Sequence, residues 1–114
     1  MHEELIEEFK RYLLIDQGKS DNTIKSYQLD LRKFSLFLEE QAINDIKNVN
    51  QETIQLFLAY LRQAGYASST TSRMISTLKQ FFIFMMKEEI VKKNPLTLIQ
   101  GPKKAQRLPQ VLTM

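Results

Sequence analysis

Ser69, Ser72, Arg73, Ser76 and Gln80 recur at spacings i, i+3, i+4, i+7 and i+11, which a helix gathers onto one narrow stripe, with Lys79 on its flank. Short hydroxyls are an unusual choice for a solvent-facing stripe. Ser and Thr compete with the backbone for hydrogen bonds and weaken a helix, whereas Glu and Lys are better helix formers. No acid occurs from Ala67 to Met86. Short donors around one arginine suit close approach to a polyanion. Hydroxyls and helix N-terminal amides bond phosphate oxygens, and an arginine fork is matched to the O6 and N7 acceptors of guanine. The same stripe would also serve as a packed interface with another helix, and the spacing alone leaves both readings open.

Other chemistries lack their parts. The chain has no cysteine, so thiolate metal sites, disulfides and thiol nucleophiles are excluded, and its one histidine, His2, sits at the terminus. Glu3, Glu4, Glu7 and Glu8 form an acidic first turn without the burial that tunes a general acid. Tyr12, Tyr27, Tyr60 and Tyr66 lie in or beside apolar stripes and read as core rather than nucleophiles. The Phe81 to Met86 cluster reads the same way, and neither a glycine-rich phosphate loop nor metal-ligand spacing is present.

Four helical patterns must position the stripe. The first, about Glu3 to Asp16, sets Leu5, Ile6, Phe9, Leu13 and Leu14 at helical spacing before Gln17, Gly18 and Lys19 break it. The second runs from Ser20 or Asp21, both good N-caps, to about Gln41, with Ile24, Tyr27, Leu31, Phe34 and Leu38 on its core face. Opposite them lie Asn22, Lys25, Ser26 and Lys33, with Arg32 on the shoulder and Leu29 and Leu36 sharing the outer face. The third starts at Asn50, buries Ile54, Phe57, Leu58 and Leu61, and stops at Gly65. The fourth starts in Ser68, Ser69 and Thr70, carries Met74, Ile75, Leu78, Phe81, Phe82 and Met85, and is expected to run until Asn94 and Pro95 end it.

With 114 residues the chain makes one domain, and 3 Gly and 3 Pro leave little material for hairpins, so the fold class is all-α. The longest apolar run is six residues, too short to span a bilayer, and the Glu-rich start does not read as a signal peptide, which points to a cytoplasmic protein. Charge is polarised: residues 1–16 carry two bases and five acids, and residues 90–114 carry five bases and no acid. Residues 96–114, with Lys103, Lys104 and Arg107 among Gly101, Pro102 and Pro109, read as an extended basic linker that leads to something larger and meets a polyanion through charge alone.

The segments "SDNTIKSYQLDLRKFSLFLEE", "TIQLFLAYLRQAGYASSTTSRMISTLKQFFIFMMKEEIVKKNP" and "LPQVLT" together resemble the N-terminal core-binding, SAM-like domain of tyrosine recombinases and phage integrases, most of all the Xer-type chromosome-dimer recombinases. The resemblance spans the chain and rests on an ordered series: an Asn-Thr pair then Tyr27, Asp30-Leu31 and Phe34, the Gly65 turn before a hydroxyl-rich helix, and Asn94-Pro95. It implies an orthogonal bundle of four to five helices over residues 1–95. Such a bundle forms half of a clamp around double-stranded DNA, with its second and fourth helices facing the major groove. By position it points to Thr23, Lys25, Ser26 and Arg32, and to Ser69, Thr70, Arg73 and Thr77, as DNA contacts.

The family's chemistry is a tyrosine attack on the scissile phosphodiester, giving a 3'-phosphotyrosyl link without a metal or other cofactor. The groups that perform it belong to a C-terminal catalytic domain, so the resemblance implies no catalytic residue here. It implies partner protomers in a tetramer on DNA, and a role in DNA recombination, integration or chromosome partition. Two other readings stand beside it: a helical protein-interaction module, and a stand-alone DNA-binding accessory protein.

Overall fold

The computed structural model describes residues 3–97 and residue 99. Among them are four helices: α1 (Glu3–Ile15), α2 (Asp21–Glu40), α3 (Gln51–Gln63) and α4 (Ser68–Lys87), with one 3-10 turn at Ile46–Asn48 between α2 and α3. No strand occurs among the described residues, and no helix there is long and apolar enough to cross a membrane.

The starts of α2 and α3 follow local chemistry. Ser20 caps α2 by accepting from the Thr23 amide at 3.3 Å. Asn50 and Thr53 form a reciprocal capping box on α3, in which the Asn50 side chain accepts from the Thr53 amide at 2.9 Å and the Asn50 amide donates to the Thr53 hydroxyl. Ala67 precedes α4 with no side-chain cap.

Three of the helices end in the same motif. Amide-to-carbonyl pairs Ile43 to Leu38, Tyr66 to Leu61 and Ile90 to Met85 close six-residue turns, with Ala42, Gly65 and Glu89 in the left-handed region at φ 61°, 89° and 61°. In each case the residue after the left-handed one is apolar and rests on the core. This motif, not Pro95, stops α4. The helix ends at Lys87, some seven residues before the expected Asn94, because Glu89 turns left-handed and Ile90 folds back onto Met85.

The core has two aromatic centres. Phe9 of α1 is fully buried against Tyr27 of α2 and Phe81 and Phe84 of α4, with ring centroids 6.1, 5.2 and 5.5 Å away. Phe57 of α3 meets Phe34 and Phe37 of α2 at 5.1 and 5.2 Å. Ile46, the first residue of the 3-10 turn, and Val49, just after it, join the core and tether the long α2–α3 connection. Leu14, expected inside, is exposed, because it stands one residue, about 100°, round the helix from Leu13 and off the stripe of Ile6, Phe9 and Leu13. The packed body also continues past Pro95: Leu96 and Ile99 are buried, held by a turn in which the Asn94 side chain accepts from the Leu96 amide. The rest of the expected linker, with Lys103, Lys104 and Arg107, lies outside the described residues.

Candidate nucleic-acid interface

On α4 the stripe is where the spacing put it. Ser69, Arg73, Ser76 and Gln80 are exposed, and Thr70, Ser72 and Lys79 are half-buried. On α2, Asn22, Lys25, Arg32 and Lys33 are exposed, and Thr23 and Ser26 are half-buried. Thr23 is partly committed to structure, since its hydroxyl accepts from Ser20 at 3.0 Å.

The two helices are joined by a polar lock. Asp30 of α2 is 1% exposed, on the side of the helix that otherwise carries Leu31 and Phe34. A carboxylate is tolerated there only if its oxygens are satisfied. One oxygen accepts from Arg73 Nη2 at 2.7 Å, and the other accepts from Arg73 Nε at 3.1 Å and from the Thr77 hydroxyl at 2.9 Å. The pairing is fork-on-fork, the strongest geometry available to arginine and a carboxylate. The carboxylate's hydrogen bond holds the Arg73 guanidinium above its ordinary pKa, against a smaller opposing effect of burial.

The expectation that Thr77 contacts DNA is corrected. It is fully buried, and its hydroxyl is occupied by Asp30 and by the Arg73 carbonyl at 3.1 Å, so it presents nothing to a ligand. Arg73 differs. Half of its side chain remains exposed, and the lock uses only two of its five N–H groups, which leaves the end of the fork, one N–H on each Nη, for another acceptor.

A second link lies beside the lock. Lys33 Nζ stands 5.4 Å from the centroid of the Tyr66 ring, in the turn between α3 and α4. The Tyr66 side chain is the main cause of the raised Lys33 pKa, with smaller contributions from Tyr60 and Asp30. Asp30 and Lys33 of α2 therefore face the first turns of α4 and the loop that leads into them. The lock itself was missed in the sequence, although a signal existed. Asp30 falls within the apolar side of α2, where a carboxylate requires a cationic partner, and Arg73 stands on a helix with no acid of its own.

Among the described residues no cluster of three or more His, Cys, Asp or Glu could hold a metal ion. What the α2–α4 side offers is hydrogen-bond donors: serine hydroxyls, an anchored arginine fork and free lysines, over a helix without negative charge. That chemistry fits phosphate oxygens and base edges.

The profile of the phage integrase N-terminal SAM-like domain matches residues 6–89. Curated proteins similar to the chain include tyrosine recombinase XerD of Staphylococcus haemolyticus (strain JCSC1435), 38% identical over 110 residues that make up 96% of this chain and 37% of the relative. They also include tyrosine recombinase XerD of Staphylococcus aureus (strain N315), 35% identical over 112 residues, 98% of this chain and 38% of the relative. The chain thus spans little more than a third of the length of the curated relatives it matches. No solved structure matches it.

Proposed function

The chain belongs to the phage integrase N-terminal SAM-like domain family, and from that premise we propose that it binds duplex DNA as the N-terminal half-clamp of a site-specific tyrosine recombinase. The observation that carries this reading is the acid-free outer side of α4, with exposed Ser69, Arg73 and Ser76, locked through Asp30 to the basic face of α2. Its donors match phosphates and base edges.

In this reading Lys25, Arg32 and Lys79 neutralise phosphates, while Asn22, Ser26, Ser69, Thr70, Ser72 and Ser76 bond sugar and phosphate oxygens at close range. A catalytic domain beyond this chain supplies the tyrosine that cuts and rejoins DNA. The connecting segment starts after Ile99, and Lys103, Lys104 and Arg107 add affinity without sequence preference. The whole protein works on chromosomal or mobile-element DNA in the cytoplasm, with other protomers of its kind.

A second reading has its own observation. Leu29 and Leu36, 62% and 60% exposed on the outer side of α2, suit contact with another protein subunit. One titration separates the two. The 114-residue chain should bind duplex DNA of any sequence weakly at about 50 mM salt and lose affinity steeply as salt rises. Lys25→Ala should weaken binding to every duplex alike and flatten the slope of log K against log salt by about 0.9, since one fewer counterion is released. Absence of salt-dependent binding, together with a defined oligomer in DNA-free solution, would replace DNA binding with the subunit-contact reading.

A further inference from the structure

We propose that Asp30 is a positioning residue for sequence reading: it grips Arg73 by Nε and one Nη2 so that the free end of the fork is presented outward, beside α2, to the O6 and N7 acceptors of a guanine in the major groove. The proposal rests on the DNA-binding reading above and adds to it which residue reads a base, and how it is held.

Three features support it. An exposed arginine ordinarily loses much rotamer freedom when it binds, whereas Arg73 already has its guanidinium plane fixed by two hydrogen bonds to a carboxylate that cannot move, being 1% exposed and also held by Thr77. The lock leaves free the edge whose two parallel N–H groups match guanine, and half of the side chain is open to solvent. Finally, Asp30 cancels the charge of Arg73. A neutral pair attracts the phosphate backbone weakly, so Arg73 contributes sequence preference, while Lys25, Arg32 and Lys79 contribute general attraction.

Charge cancellation makes the proposal separable from a purely structural role. Arg73→Ala alone is uninformative, because it strands a buried carboxylate and endangers the fold. Asp30→Asn removes the negative charge and loosens the grip. Affinity for random duplex DNA should rise, the salt slope should steepen by about 0.9, and preference for guanine should fall. The double variant Asp30→Leu/Arg73→Met replaces the lock with apolar packing, a change that buried ion pairs often tolerate. It should keep the helical circular dichroism, the affinity for random duplex and the salt slope, and lose the guanine preference.

The experiment is selection from a randomised duplex library by the 114-residue chain and both variants, with salt titrations on a random duplex. Wild type should enrich guanine at one position, and the double variant should reduce that enrichment about tenfold or more. If wild type binds duplex without guanine enrichment, or a folded double variant keeps it, the proposal falls while DNA binding stands. If Asp30→Asn lowers random-duplex affinity while remaining folded, charge cancellation is wrong and the proposal falls with it. If wild type binds no duplex at low salt, the DNA-binding reading fails and takes this one with it.

Discussion

Phe9→Ala tests whether the bundle is held where the rings converge. Phe9 is fully buried, with its ring within 6.2 Å of Tyr12, Tyr27, Phe81 and Phe84, so one side chain joins α1 to both α2 and α4. Returning a phenyl side chain's apolar surface to water forfeits about 1.5–3 kcal/mol of transfer energy. Partial collapse leaving a void of about 60 Å3 adds about 1.5 kcal/mol, at ~24 cal/mol per Å3. The sum is about 3–4.5 kcal/mol, within the range of about 3–5 seen for buried Phe→Ala. A domain of this size has about 5–15 kcal/mol to lose, so the variant should fold but only marginally. Urea unfolding followed by helical circular dichroism would measure it, with a lower midpoint and an unchanged m-value; the thermal midpoint should fall by about 12 °C or more. Leu14→Ala, on the same helix but exposed, should cost less than about 0.5 kcal/mol. A loss below about 1.5 kcal/mol at Phe9, or a comparable loss at Leu14, would refute the assignment of α1's inner side.

Asn50→Ala should cost about 0.5–2 kcal/mol in the same assay, since it removes the capping box at the start of α3. Gly65→Ala should be destabilising by about 1–2 kcal/mol, from backbone strain alone, because a methyl group there meets nothing within 4 Å but φ is +89°. Ala42→Gly should have the opposite sign, by less than about 1 kcal/mol, as it relieves the same conformation at φ 61°. Lys33 and Arg73 both have raised pKa values, so each keeps its charge until pH climbs past its ordinary range. Their contributions to stability and to duplex binding should therefore be constant between about pH 6 and 9, and a titration step in either within that window would exclude these two as the groups responsible.

The helices were legible wherever a residue type leaves one option. Asn50 and Ser20 marked starts because few residues can cap, and Gly65 marked an end because its backbone is left-handed. The other two motifs of the same kind were hidden, since Ala42 and Glu89 adopt that conformation against their preference, under the pull of Ile43 and Ile90 toward the core. That is why α4 ended earlier than Pro95 suggested. Phe37 was not picked out as core because it sits at the edge of its stripe, where a neighbouring helix decides what is covered, and within the Phe81 to Met86 cluster read as core, Ile83 and Met86 are instead exposed. The outer serines of α4 were readable from spacing alone. The role of Asp30 was legible only in part: its place on the apolar side of α2 calls for a cationic partner, but which one depends on residues 43 and 47 positions away that only the packed helices bring to it.

That separation bears on how the protein is born. A ribosome adds about 5–20 residues each second, so roughly two to ten seconds pass between synthesis of Asp30 and of its last partner, Thr77. Through that interval α2 carries a bare carboxylate on the side it must eventually bury, and closing it against any surface without matching donors is penalised. The nascent chain can therefore pair α1 with α2 through Phe9 and Tyr27 while the seam for α4 remains wet. Among the described helices only α4 brings Arg73 and Thr77 to it together, so burying this carboxylate with its oxygens satisfied has to wait until α4 has been made.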